Sequence, residues 1–455
     1  SSTFAGSKGL EISEPLYFSG RKGTGRVGGR DHYVDDELRL GLDDWQKHGL
    51  TYVLWGRLLY DPDTDASVWR RVLRDEYGAA ADDMEVALSA LSRVLPIVTS
   101  AHVPSASCNS YWPEMYSDLP LSASVSAKAY WWDTPLPGTW GAASPLDPVM
   151  FYGIGEYVEA ALTGTLTGRY TPLEVADWLD QLADRGAAAL DAAADLTGAD
   201  IPQVRRAVVD MRVLVQLARF FAGKFRAAVE YEIYRRRADR DRLRLAIELL
   251  EKAHVAYASI PGIVAGVYES SLPFGERASE GGHWSDRLPA MNDDSRALRV
   301  ELERVPEGSA PAPVVSRSPR WRLQGAELTS SDTFTRGQPL EVRLVHDHPT
   351  PIGAVTLYYR RVDQSESFRT AAMEPAGEHF VGTIPAAYTD TSYPLMYFVE
   401  IHRDDADPVF YPGLDETLSN QPYLVVHSDE YAPTTRRGTR LESAHQPTSK
   451  EETHA

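Results

Sequence analysis

The sequence has 455 residues but only one cysteine, Cys108. A single cysteine excludes an intramolecular disulfide and a cluster of thiolate metal ligands. Cys108 lies close to His102 in the sequence and could act as a nucleophile, but a small, half-buried side chain is the simpler interpretation. Without a disulfide, the cysteine content does not indicate a cellular compartment. We expect a soluble protein that is either cytoplasmic or secreted with a signal that this chain does not contain.

The sequence also has no long apolar run and no excess of positive charge. No apolar run approaches the ~20 residues that a membrane span needs, so the sequence predicts no membrane partner. The formal net charge of −19 argues against nucleic acid, because a polyanion would be repelled without a strong basic patch. The basic run Arg235–Arg237 is followed at once by Asp239 and Asp241, which is typical of a solvated helix face.

Two segments superficially resemble ligand motifs. The glycine-rich tract 20–29 is not followed by the Gly-Lys-Ser/Thr of a phosphate loop, and no helix opens directly behind it. The acidic cluster 61–65 lacks the glycine and the closing glutamate of a calcium loop. We therefore predict no cofactor and no metal site.

Two hydrophobic periods divide the chain. Apolar residues recur every three or four positions over 34–305, which predicts an α-helical domain. Over 320–428 the period changes to two, which predicts a β-sandwich of the immunoglobulin or fibronectin type. A proline-rich linker at 306–319 separates these parts, and the polar tail 429–455 is expected to be disordered. Residues 1–33 are predicted to be an extended segment, so the predicted class is multidomain α plus β.

The helical pattern also predicts individual elements. Pro172 and Pro202 suit the first turn of a helix, where the missing backbone donor costs nothing. The predicted helices lie near 66–77, 80–98, 147–162, 172–196, 201–237 and 239–259.

Two aromatic stretches interrupt the helices between residues 100 and 144. The first, 100–120, contains three prolines and predicts a rigid irregular loop, and the second, 129–140, contains four aromatic residues. Long ordered loops often carry binding groups, and flat aromatic rings stack on the apolar faces of sugars. These stretches therefore predict a carbohydrate site. A loop folded over a small hydrophobic core is the alternative.

Three segments resemble the C-terminal part of a large bacterial glycoside hydrolase, similar to the α-glucuronidases. These segments are Gly9–Pro15, Tyr52–Pro62 and Ser110–Tyr116, all within roughly the first 120 residues. In such enzymes a (β/α)8 barrel carries the site and a helical domain packs beside it. The resemblance implies that residues 1–33 are the end of such a barrel, as the alternative to an extended segment. The resemblance implies a carbohydrate substrate, a polysaccharide or oligosaccharide containing uronic acid. A barrel needs about 250 residues, so most of it would lie upstream of this chain or be absent.

Glycoside hydrolysis usually needs two carboxyl groups, about 5 Å apart for retention and about 6.5–9.5 Å apart for inversion. The candidates are Glu11, Glu14 and Glu114. If residues 10–15 form a strand, Glu11 and Glu14 point to opposite faces and cannot share one site. One of them would then work with Glu114 or with a residue upstream. A salt bridge at a strand end is the alternative for each.

The remaining predicted site residues would bind substrate. Trp131 and Trp132 would stack on sugar rings, and Arg57, with Arg21 and Arg26, would neutralise a uronate carboxylate. The full predicted substrate-binding set is Arg57, His102, Asn109, Tyr111, Trp112, Trp131 and Trp132.

Two other functions remain open from the sequence, although the pattern favours a hydrolase. A polysaccharide lyase would use Asn109, His102, Tyr111 and an arginine, and a glycan-binding or scaffold protein would have no working carboxylate pair. The sequence predicts no oligomeric state.

Overall fold

The structure is a computed structural model that describes residues 32–102, 114, 116–128, 138–196, 201–273, 281–307, 325–346, 352–404 and 406–430. The chain divides into one unit whose main segment is Ser7–Trp321 and a second made mostly of Arg322–Asp405 and Phe410–Ala455. Among the described residues, the first is mainly helical and the second mainly β, so the predicted α plus β class is confirmed at this level. Residues 1–31, almost all of the predicted linker and the tail from 431 onward lie outside the described residues.

The first unit is built from α-helices, with short 3-10 helices at Asp36–Leu38 and Gly41–His48 before the first of them. The α-helices are α1 (Gly49–Tyr60), α2 (Ser67–Tyr77), α3 (Ala81–Leu91), α4 (Val94–Ala101), α5 (Ile154–Thr163), α6 (Pro172–Leu196), α7 (Pro202–Arg237), α8 (Arg240–Ala258), α9 (Ile260–Val264) and α10 (Leu288–Arg304).

Local sequence explains several of these boundaries. Pro172 and Pro202 are the first residues of α6 and α7, which confirms their predicted positions. Thr171 Oγ1 accepts from the Glu174 amide at 3.1 Å while Glu174 Oε2 accepts from the Thr171 amide at 2.8 Å, a reciprocal cap. Asp239 accepts from two backbone amides at the start of α8. These caps satisfy donors that the first helical turn leaves open.

Two predicted helices differ from the structure. The helix expected near 147–162 begins only at Ile154, because Asp147 Oδ1 accepts from the amides of Val149 and Met150 and Phe151 forms a β-bridge with Tyr170. The helix expected near 80–98 is interrupted between α3 and α4. Apolar periodicity continues through both breaks and therefore could not reveal them.

Helix α7, with 36 residues, is the central element of the helical unit. It packs against α5, α6 and α8 and also contacts α3, α4 and α9. Phe220, Phe221 and Phe225 on it are buried. A Cβ atom added at Gly223 would lie 2.8 Å from the Cβ atom of Ala253, so this glycine allows α7 and α8 to approach closely.

One helical stretch qualifies the prediction that no membrane span exists. By length and composition, Ser67–Ala101 is apolar enough to cross a membrane, with a mean hydropathy of 1.3. The stretch consists of several consecutive helices, and Met84, Leu91 and Val98 are buried in the helical unit. A buried core segment passes the same test, so this is weak evidence for a membrane.

Two short strands, β1 (Leu272–Pro273) and β2 (Gly281–Gly282), form a hairpin in the helical unit. The remaining strands are β3 (Ala326–Ser330), β4 (Thr333–Phe334), β5 (Leu340–His346), β6 (Ala354–Arg361), β7 (Arg369–Ala376), β8 (His379–Ile384), β9 (Leu395–Arg403), β10 (Ala406–Tyr411) and β11 (Leu424–Ser428), with a short helix α11 (Ala386–Thr389) after β8. All of them belong to the second unit except the first part of β10, Ala406–Val409.

The strands pair in the order β3-β5-β8-β7-β6-β9-β11-β4, with β10 on β9. Within the eight-strand order, all pairs are antiparallel except β11 with β4, which is parallel. Strand β7 pairs with β8 through one end and with β6 through the other. Along β5, Leu340, Val342 and Leu344 are buried and the residues between them exposed, as the period of two predicts.

Candidate functional site

Three of the predicted site residues lie within the described part of the chain: Arg57, His102 and Glu114. The structure does not bring Arg57 together with the other two. Arg57, on α1, lines a surface groove of about 540 Å³ with Tyr60 and Arg71, and neither His102 nor Glu114 contributes to it. The predicted residues outside the described part are Glu11, Glu14, Asn109, Tyr111, Trp112, Trp131 and Trp132.

His102, at the end of α4, is almost fully buried, with 1% of its surface exposed. Its ring stacks on Trp140 with the centroids 3.6 Å apart, and its Nε2 atom lies 2.9 Å from the Trp140 carbonyl oxygen. Because a carbonyl only accepts, Nε2 must carry the proton. Burial lowers the pKa of His102 to about 3, and the nearby Lys224 adds to this effect. His102 is therefore a neutral packing group in the core.

Lys224 on α7 lies next to this pair and is also 1% exposed. Its Nζ atom donates to the backbone oxygen of Ser117 at 2.6 Å and lies 4.6 Å from the centroid of the Trp140 ring. Burial lowers the pKa of Lys224 to about 8, against the opposing effect of Asp294 and Asp118. Burying an ammonium group costs free energy because the group loses its hydration. The Ser117 carbonyl, the Trp140 ring and the two carboxylates partly offset this cost.

Asp294 on α10 fixes the same loop from the other side. Its two carboxylate oxygens accept from the amides of Leu121 at 2.8 Å and Ser122 at 2.9 Å. Burial raises the pKa of Asp294, while these two amides and Lys224 act in the opposite direction. The carboxylate thus replaces the backbone partners that an irregular loop cannot supply itself.

Tyr257 on α8 completes the arrangement. Its hydroxyl accepts from Ser117 Oγ at 3.0 Å, and Ser117 Oγ also lies 2.9 Å from the backbone oxygen of Glu114. Burial raises the pKa of Tyr257, so the phenol stays neutral. We call the buried group of His102, Ser117, Asp118, Lys224, Tyr257 and Asp294 the polar centre.

Glu114 lies at the edge of the polar centre and keeps partial solvent exposure, whereas the members of the centre are buried. Burial also raises the pKa of Glu114 above its usual range. A carboxyl group with a raised pKa keeps its proton closer to neutral pH and can donate it. Burial therefore makes the Glu114 carboxyl hold its proton more firmly than a carboxyl in water does.

The sequence interpretation missed Lys224, Asp294 and Tyr257. Residues 204–225 read as a core stripe, and Lys224 interrupts that stripe between Phe221 and Phe225. A lysine inside an apolar helix face was the available signal, because lysine is rarely buried without partners.

A second polar cluster was also missed. The ammonium group of Lys47 donates to the hydroxyl of Tyr268 at 2.6 Å and lies 3.0 Å from Asp210, to which Tyr268 donates its own proton. Burial, followed by Asp210, raises the pKa of Tyr268. This cluster joins the 3-10 helix Gly41–His48 to α7. Among the described residues, no three His, Cys, Asp or Glu side chains are grouped so as to hold a metal ion.

Comparisons with known proteins give little further constraint. No protein-family model and no curated protein matches the chain. Among solved structures, the chain is similar to a GH138 enzyme targeting pectin rhamnogalacturonan II, with a TM-score of 0.45 and 18% sequence identity. The match covers 56% of this chain and 37% of that chain, little more than a third of its length.

Proposed function

We propose that the chain is a carbohydrate-active protein of the glycoside hydrolase kind, acting on a polysaccharide or oligosaccharide that contains uronic acid. The observation that carries the proposal is the position of Glu114, a half-buried residue whose carboxyl has a raised pKa, on a loop held by Lys224 and Asp294. Such a group can protonate the oxygen of a leaving sugar.

The second carboxylate of the mechanism would come from the predicted extended segment 1–33. Glu11 or Glu14 is the predicted partner, acting as nucleophile in a retaining reaction or as base in an inverting one. Tyr111 and Trp112 precede Glu114 in the sequence and would contact the sugar, as would Asn109. Trp131 and Trp132 remain proposed stacking surfaces. His102 would act by packing beneath the loop, and Arg57 remains a proposed contact for a carboxylate.

The finer architecture belongs to the same proposal. We propose a helical domain over 34–305, a linker over 306–319 and an immunoglobulin-like sandwich over 320–428. The sandwich is supported by the strand order, in which β3-β5-β8-β7 and β6-β9-β11 correspond to the two sheets of an immunoglobulin domain.

The test is hydrolysis of uronate-containing oligosaccharides by the Glu114→Gln variant, with Glu11→Gln and Glu14→Gln beside it. Loss of a general acid should lower kcat by about 10²–10⁴-fold, and less for substrates whose leaving group needs no proton. Glu248→Gln, at an exposed position on α8, is the matched control and should keep full activity. Circular dichroism shows whether each variant is folded.

Three outcomes would overturn the proposal. Unchanged turnover in Glu114→Gln would remove this residue from the mechanism. An unsaturated product absorbing in the near ultraviolet would identify a lyase. Binding of the oligosaccharide without any turnover by the wild-type chain would leave a glycan-binding protein.

A further inference from the structure

A groove of about 630 Å³ lies on the surface of the helical unit, and arginines surround it. Helices α7 and α10 and the segment 122–124 line it. We call it the arginine groove and define it by Tyr231, Arg235, Asp293, Arg296, Glu301 and Arg304.

Helical spacing explains why these side chains meet. On α10, Asp293 and Arg296 are three residues apart, as are Glu301 and Arg304, so the two side chains of each pair are neighbours on the helix surface. On α7, Tyr231 and Arg235 are four residues apart and share a face in the same way.

The groove has a net positive charge, opposite in sign to the net charge of the chain. The protein carries a net charge of −19, but three guanidinium groups line this groove beside only two carboxylates. Arg296 pairs with Asp293 at 2.7 Å, and Arg235 lies 3.4 Å from Glu232. No ion pair is found for Arg304 among the described residues, so its donors remain available to a ligand.

The carboxylates restrict which anion the groove can accept. Glu301 accepts from the buried Tyr231 hydroxyl at 3.1 Å, and Asp293 stands beside Arg296. Two fixed negative charges repel a phosphate or a polyanion more strongly than a single carboxylate. The same oxygens, with the hydroxyl of Ser124, can bind ligand hydroxyls.

We infer that the arginine groove is a binding site for a hydroxylated monocarboxylate, such as a uronic acid residue. A guanidinium group binds a carboxylate through two parallel hydrogen bonds, and Arg304 and Arg296 supply this contact. The carboxylates Asp293 and Glu301 accept from the ring hydroxyls. This inference goes beyond the proposed function, because it does not depend on Glu114 or on any reaction.

The test is a titration of the full chain with sodium D-glucuronate, followed by calorimetry and ligand-observed NMR. D-glucose, acetate and inorganic phosphate are the comparison ligands, and each should bind at least ten-fold more weakly. Arg304→Gln and Arg296→Gln should each raise the Kd for glucuronate by roughly five-fold or more, and added salt should do the same. Arg185→Gln, at an exposed position on α6, is the control and should leave the Kd unchanged.

Sodium gluconate distinguishes two kinds of hydroxylated monocarboxylate, an open-chain hydroxy acid and a sugar acid. Equal binding of gluconate and glucuronate supports the site as one for free hydroxy acids, and preference for glucuronate supports a sugar site. Phosphate binding as tight as glucuronate, an equal effect of Arg185→Gln, or no binding of glucuronate would overturn the inference. Arg304 lies outside the proposed active site, so the Kd of Arg304→Gln tests the groove while the turnover of Glu114→Gln tests the proposed function, and each can fail without the other.

Discussion

The ammonium nitrogen of Lys224 lies 4.6 Å from the centroid of the Trp140 ring, and both side chains are almost closed to solvent. The electron-rich ring face attracts the cation, and the carbonyl of Ser117 accepts one of its protons. An isolated buried charge would destabilise the fold. The contacts of Lys224 with Trp140 and Ser117 therefore stabilise both α7 and the loop residues that it touches.

Replacing Lys224 by methionine should alter the pH dependence of stability. The pKa of about 8 in the folded chain lies below the usual value near 10.4, so the unfolded chain binds more protons between these two values. The free energy of unfolding of the wild type therefore rises by about 1 kcal/mol per pH unit in that window. Below the window, Lys224 adds no pH dependence. Lys224→Met should lack this rise in urea unfolding curves measured from pH 7 to 10. A constant difference between the two proteins across that range would contradict the prediction.

His102 should remain neutral at mildly acidic pH. Its pKa of about 3 lies below the unfolded value near 6.5, so its contribution to stability is lost as the pH falls through this interval. NMR of histidine-labelled protein should show the neutral imidazole at pH 5, with the signal assigned by its absence in His102→Gln. Protonation of this signal near pH 6 would show that the ring is solvated.

Removing the Asp294 carboxylate should destabilise the helical unit. Asp294→Ala leaves the buried amides of Leu121 and Ser122 without their acceptor, at a cost of about 2–5 kcal/mol in the free energy of unfolding. Its neighbour Asp293 is the control, because its pair with Arg296 is exposed and is worth less than about 1 kcal/mol. Equal losses in the two variants, measured by denaturant unfolding, would show that the amides find other partners.

A methyl group at Gly223 should force α7 and α8 apart. The added Cβ would lie 2.8 Å from Ala253, and overpacking of this kind costs about 1–3 kcal/mol, more than the ~1 kcal/mol gained in helix propensity. Gly155→Ala on α5 is the control, since its Cβ would meet nothing closer than 3.8 Å. Thermal unfolding should show a lower Tm for Gly223→Ala and an equal or higher Tm for Gly155→Ala.

Local patterns predicted the elements better than they predicted the site. The first turns at Pro172 and Pro202 follow from chemistry within a few residues, as does the alternation along β5. The bond from Lys224 to Ser117 joins residues 107 positions apart, and no local period carries that information.

The charged face of α10 was missed for a related reason. Charged residues such as Arg296 and Glu301 resemble any solvated helix surface, and only the approach of Tyr231 and Arg235 from α7 reveals a groove. Among the predicted site residues, Glu114 was chosen for its loop and its neighbours, but its raised pKa depends on burial that the sequence does not display.

Helix α7 contributes to all three polar sites, through Asp210, Lys224 and Arg235. At about 100° per residue, the three side chains lie within about 40° of one another around the helix axis. One added or deleted residue between Asp210 and Lys224 would rotate the rest of the helix by about 100° and separate the first site from the other two. The length of α7 between these residues is therefore more strictly constrained than its composition. Substitutions in α7 can leave the three sites in place, whereas insertions and deletions cannot.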